Sequence, residues 1–122
     1  MSLLPLREEV QVSPNEPRLF NLDSDAADKA FKTLTASTTR AVLSIIYEYP
    51  ATPSDIRDEV ETSIQNVHYH LEKLEAAGLI EPAGVGYSEK GTKMTLYAPA
   101  NEALVLFAGQ EPTYHQLREL FS

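Results

Sequence analysis

Along the first two thirds of the chain, apolar residues recur at the three-and-four spacing of helices buried on one side; after Gly78 the pattern changes to alternation. Ala27, Ala30, Phe31 and Leu34 fall at i, i+3, i+4 and i+7. They predict a first helix from Ser24 or Asp25 to Thr35, with Asp23, Asp25 and Asp28 at its positive N-terminal end. Val42, Ile45, Ile46 and Tyr49 make the inward stripe of a second helix, Thr38 to Tyr49, expected to be capped by Ser37 and ended by Pro50. Thr52 caps a third helix, with Pro53 at its first position and Asp55 reaching back from the third. Ile56 and Val60 face inward there, and Arg57, Asp58, Glu59 and Glu61 face solvent. A fourth helix is capped by Ser63, carries Ile64, Val67, Leu71 and Leu74 as its core stripe, and closes at Gly78.

From Leu79-Ile80 onward the chain becomes strand-like. Gly84 and Gly86 loosen a first strand, Ser88 to Gly91 makes a turn, and Thr92 to Ala98 returns with Met94, Leu96 and Ala98 on one face. This is a β-hairpin wing with Lys90 and Lys93 near its tip. Ala103 to Phe107 is an apolar run, either a further strand or an interface segment, and Pro112 to Ser122 forms a last helix with Tyr114, Leu117 and Phe121 in line. Before all of these, residues 1–22 are punctuated by Pro5, Pro14 and Pro17, which restrict them to extended or turn geometry; the bland reading is a loosely packed arm, the sharper one an arm laid across the domain or a partner subunit. The expected architecture is α+β and mainly α. It divides into an N-terminal arm over 1–22, a winged helix-turn-helix over 23–110, and a C-terminal helix over 111–122.

The charge changes this picture most. A helix-turn-helix places its second helix in the DNA major groove, yet the net charge is −8 with only 10 Lys and Arg. Nucleic-acid binders usually carry a basic footprint. The acidic residues are segregated, however: Ser63 to His70, the first half of the fourth helix, holds none of the chain's 18. Glu72 and Glu75 come only in its later turns. An acidic surface also suits a protein that works at high salt.

That segregation selects the candidate contacts. Gln65 and Asn66 lie just inside the recognition helix, 63–77, where amides can pair with adenine in two hydrogen bonds. The bland alternative is ordinary solvent-facing amides. Ser63, His68, Tyr69 and Lys73 share their face, and Arg40, Lys90 and Lys93 are candidate phosphate anchors, the last two on a wing spanning 84–95. A lysine pair on a hairpin also protects an edge strand from aggregation. His68 and His70 are two apart, pointing about 200° from each other on a helix, so they cannot share a metal. His68 with Glu72 is expected as a local surface contact, and His70 near the core edge as a packing or phosphate-contacting residue.

Other classes find little purchase. With no cysteine the chain forms no disulfide, zinc-thiolate site or cysteine nucleophile, which fits a reducing cytoplasm. No nucleophile elbow, P-loop or complete dinucleotide fingerprint occurs, no apolar run approaches the ~20 residues that cross a bilayer, and no signal peptide is indicated. No enzyme and no cofactor are therefore expected. Apolar residues left over after the core is filled are Phe31, Leu34, Leu106, Tyr114, Leu117 and Phe121, which predict a homodimer contact.

Val67-His68-Tyr69-His70-Leu71-Glu72-Lys73-Leu74-Glu75-Ala76-Ala77-Gly78-Leu79-Ile80 is similar to the "VSxHLxxLxxAGLV" signature of winged-helix repressors of the ArsR type. The wing from Tyr87 to Pro99 resembles a subgroup from salt-loving archaea. The resemblance covers about residues 20–110 and implies a homodimeric transcription factor gripping double-stranded DNA with two recognition helices and two wings. Metal-sensing members carry cysteines on the third helix; Asp55 to Val60 has none. Glu111, His115 and Glu119 share one face of the last helix, a spacing more often seen on a solvated surface than as a metal site, and no metal is expected. The reading is a cytoplasmic DNA-binding regulator. Its alternatives are a winged-helix module that binds protein without DNA, or a ligand- or metal-responsive sensor.

Overall fold

Serine and threonine hydroxyls start three of the helices where the local sequence demands it. In the computed structural model, which describes residues 16–120, Ser24 Oγ accepts from Ala27 N–H at 3.1 Å and opens α1 (Asp25–Thr33). Thr52 and Asp55 exchange hydrogen bonds in both directions at 3.2 and 3.0 Å, a closed capping box that opens α3 (Pro53–Val60). Ser63 Oγ accepts from Asn66 N–H at 3.1 Å and opens α4 (Ile64–Ala76).

The second helix departs from expectation. α2 spans Ser37–Glu48, its N-cap residue is Ala36, and no side chain caps it; Ser37 is already inside the helix. The α1–α2 corner is fixed from the other side. Arg40 Nη1 donates to the carbonyls of Leu34 and Thr35 at 2.6 and 2.8 Å, satisfying acceptors left open at the end of α1. Tyr49 has also left the buried stripe. It stands half-exposed, its hydroxyl donates to a Glu59 carboxylate oxygen, and its pKa is pushed up to about 12 chiefly by that bond.

Between α3 and α4 the chain turns at Glu61, the one non-glycine residue with positive φ (50°) among the described residues. α4 ends in a Schellman arrangement: Leu79 N–H reaches the Leu74 carbonyl at 3.0 Å and Gly78 N–H that of Glu75 at 2.9 Å. Gly78 holds φ +74° there, a conformation that glycine takes without a Cβ penalty.

The wing follows at once. β2 (Ile80–Tyr87) pairs antiparallel with β3 (Lys93–Pro99), with a register shift between Pro82 and Gly84. Two backbone bonds between Ala51 and Tyr97 add a third rung. The core lies where α2, α3, α4 and this sheet converge: Val42, Ile46, Ile56, Val67, Leu71, Leu74 and Leu96 are fully buried.

A second, parallel sheet closes the chain on itself. β1 (Arg18–Asn21), the end of the expected arm, pairs with β4 (Leu104–Phe107) in the register Arg18 to Leu104 through Asn21 to Phe107. The Ala103–Phe107 run is thus a strand. α5 (Glu111–Leu120) follows it with no fully buried residue, its Tyr114 ring edge-on to Phe107 at 5.8 Å. Arm residues 1–15 and Phe121 lie outside the described residues. The architecture is a winged helix-turn-helix, α+β and mainly helical. No described helix is long and apolar enough to cross a membrane.

Candidate nucleic-acid interface

Because Val67, Leu71 and Leu74 anchor α4 in the core, its other side is turned outward. Gln65, Asn66, His68 and Tyr69 are all exposed along it. Asn66 is partly fixed: its Nδ2 donates to Thr62 Oγ1 at 3.0 Å. Ser63 is exposed but its oxygen is committed to the cap. Lys73, half-buried, holds its ammonium 5.2 Å from the Tyr69 ring centroid, a cation–π contact that keeps positive charge beside this face. Glu72 and Glu75 act elsewhere. They help raise the Tyr97 pKa on β3, second to the burial of its hydroxyl.

The wing tip is polar and tied by its own turn: Ser88 N–H meets Thr92 O at 2.9 Å, and Thr92 N–H meets Ser88 Oγ at 3.0 Å. Gly91 supplies the positive φ of 81° that this turn requires. Lys90 and Lys93 are both exposed on it. Between wing and α3 lies an open cleft of about 600 Å³. Ser54, Asp55, Arg57 and Asp58 of α3, Ile64 of the first turn of α4, and Glu89 and Lys90 of the wing all line it. The start of α4 and the wing tip therefore border one cleft. Arg57, assigned to plain solvent from sequence, lines it with its guanidinium 3.3 Å from Asp58. Arg40 is brought to a different task, holding the α1 carbonyls.

His70 is the residue whose role sequence left open between packing and phosphate contact. It is buried, and its Nδ1 shares a 2.8 Å hydrogen bond with the buried Thr39 hydroxyl of α2. Its ring meets Tyr69 edge-on at 5.4 Å. The imidazole thus pins α4 to α2 beneath an exposed aromatic. A histidine at the spacing of the core stripe was the available signal; its partner was not foreseeable from spacing. Burial pushes its pKa below 6.5, and the nearby Lys73 charge lowers it further. The unfolded chain then binds the proton more readily than the folded one, so stability is fullest above about pH 6.5 and declines as pH falls through that value. The thermal midpoint should drop on acidification from pH 7 to 5, and His70→Gln should flatten this slope. A slope identical in the variant would assign the acid sensitivity to other groups.

The candidate dimer residues divide into two sets. Phe31, Leu34 and Leu106 surround one apolar groove, of about 120 Å³, together with Phe20, Ala27, Ala30 and Leu104. Tyr114 and Leu117 lie apart from it on α5, each half-exposed. On the same helix His115 Nε2 is 3.6 Å from Glu111 Oε1, and no group of three potential metal ligands assembles among the described residues. His68 and Glu72, expected as a local surface contact, are both exposed on α4.

Residues 34–83 match a protein-family model described as a helix-turn-helix domain. No curated protein matches the chain. Among solved structures it is similar to the homodimeric winged helix-turn-helix DNA-binding domain of a possible ArsR-family transcriptional regulator from Mycobacterium bovis. The identity is 17% and the TM-score 0.52, covering 64% of this chain and 67% of that one. A crystal structure of an ArsR family transcriptional regulator is similar at 20% identity and a TM-score of 0.49, over 79% of this chain and 88% of that one. The matched residues run from the end of α1 through the capping box and all of α4 into β2. The family model thus covers the helix-turn-helix on which the exposed face of α4 is built.

Proposed function

We propose that the chain is a sequence-specific, DNA-binding transcriptional regulator of ArsR-like type that acts as a homodimer, with residues 23–110 as the DNA-binding unit. The observation that carries this is the exposed, acid-free first half of α4, whose first residue, Ile64, lines a cleft that Lys90 of the wing tip also lines. A recognition helix enters the major groove with its N-terminal residues leading, and here those residues are neutral hydrogen-bonding groups. Gln65, Asn66, His68 and Tyr69 then meet base edges, Ser63 and Lys73 border them, and Lys90 and Lys93 hold phosphates. Arg40 serves the backbone only if it gives up a bond to the α1 carbonyls. The lack of cysteine and the charge of −8 support a cytoplasmic setting at high salt. That same charge favours the second reading, a winged-helix module for a protein partner. A mobility shift on genomic fragments over a salt series separates the two.

Within the DNA-binding reading, Gln65→Ala or Asn66→Ala should cost about 1–3 kcal/mol in specific binding and relax preference at one position per half-site. An unchanged ratio of specific to nonspecific affinity in both variants would remove α4 as the reader.

Lys90→Ala with Lys93→Ala should weaken binding to all sequences about equally, since phosphate contacts position without specifying. The slope of log affinity against log salt should flatten by roughly 0.9 per lost contact. Equal slopes in variant and parent would take the wing out of the interface.

A further inference from the structure

Among the large apolar side chains that stand exposed in the described residues, Tyr69 is the one on α4. Phe31 and Leu106 border the apolar groove, Leu22 follows β1, and Leu120 lies on α5. A single exposed aromatic is ordinary on a protein surface. This ring, however, is held from two sides. Lys73 Nζ stands over it, 5.2 Å from its centroid, and the His70 imidazole meets it edge-on at 5.4 Å. His70 is in turn buried and bonded to Thr39 of α2 at 2.8 Å. A line of contacts thus runs from α2 through His70 to Tyr69, which stays 55% exposed.

The position of the ring on α4 decides what it can meet. Long helical side chains lean toward the helix N-terminus. Lys73 does so, reaching back one turn to Tyr69. The same lean carries Tyr69 toward the turn of Gln65 and Asn66, four and three residues earlier, on the stretch that holds no carboxylate. Amides on that turn suit adenine in the major groove, and the thymine paired with adenine displays there the one methyl group among the four bases. An apolar ring beside such amides has that methyl as its matching surface. Because the ring is already held, ordering it on binding costs little.

We infer that Tyr69 reads the 5-methyl group of one thymine in each half-site. This rests on the DNA-binding reading and names the chemical group that one of its residues meets. Gln65 and Tyr69 are ~6 Å apart along the helix axis and base pairs are stacked at ~3.4 Å, so the thymine lies within about two steps of the base met by the amides. Lys73 beside the ring adds attraction to phosphate that is independent of sequence.

The probe is the tightest-binding duplex that the full chain selects from a random-sequence pool at working salt. Each thymine in it is replaced singly by deoxyuridine, which keeps the base pairing and lacks only the methyl. At one position per half-site the parent should lose about fourfold in affinity, the worth of one buried methyl group. Tyr69→Phe keeps the ring and should show the same loss, whereas Tyr69→Ala should bind the thymine and deoxyuridine duplexes equally. Both variants should melt with the parent, since the side chain is largely exposed. If no single methyl matters to the parent, or Tyr69→Ala keeps the full dependence, the inference is overturned and DNA binding stands. It is overturned too if Tyr69→Phe weakens binding as much as Tyr69→Ala, because the hydroxyl would then be the contact. A pool that yields no preferred sequence overturns the sequence-specific reading and this inference with it.

Discussion

Leu74→Ala should cost about 2–5 kcal/mol of folding stability, a large share of the ~5–15 kcal/mol that holds a domain together. Leu74 is fully buried on α4, where that helix meets α2 and α3. Deleting its branched end removes apolar contacts and leaves a cavity that the three packed helices can collapse around only in part. With Val67 and Leu71 it forms the anchor that turns Gln65, Asn66, His68 and Tyr69 outward, so the loss reaches that exposed face as well as the fold. The midpoint of urea unfolding should fall markedly at unchanged denaturant slope. Leu117→Ala on α5, where nothing is fully buried, is the control and should shift it little. A loss below about 1 kcal/mol at Leu74 would mean that α4 is not docked as described.

What could be read from the chain was chiefly what is decided within four or five residues. The Thr52–Asp55 capping box, the Ser63 cap and the Gly78 ending of α4 each depend on groups that are neighbours along the backbone, and all three form as expected. The Ser37 cap fails for a non-local reason. Arg40 ties back to the end of α1, and with that corner fixed the helix starts at Ser37 from the extended Ala36. The parallel β1–β4 pair was missed because its partners come from opposite ends of the chain, and neither strand is long enough to announce a pairing. Thr39 and His70 illustrate the same limit: each falls at a helical spacing that marks burial, but the 2.8 Å bond between them appears only when α2 and α4 are packed. In the candidate interface, residues sharing one face of α4 could be grouped from periodicity. That Arg57 lines the cleft beside the wing depended on the crossing of α3 and the hairpin.

Phe31→Lys combined with Leu106→Lys should give a folded monomer that has lost tight operator binding. Both side chains stand at the mouth of the apolar groove, 44% and 54% exposed, so the fold does not depend on burying them. Two lysines at the mouth of the groove would have to lose their hydration against an apolar partner surface, which is costly. One helix-turn-helix contacts a single half-site; a two-fold dimer spans two, ~34 Å apart. Linking two sites makes the second engagement intramolecular and multiplies affinity by roughly 10²–10⁴. The monomer should forfeit a factor of that size on a two-half-site operator while its affinity for an isolated half-site stays near that of the parent's single domain. Sedimentation at working salt gives the assembly state and a mobility shift on both DNAs gives the ratio. A folded monomer that still binds the full operator as tightly as the parent would show that one copy is sufficient, and the homodimer would have no part in reading DNA.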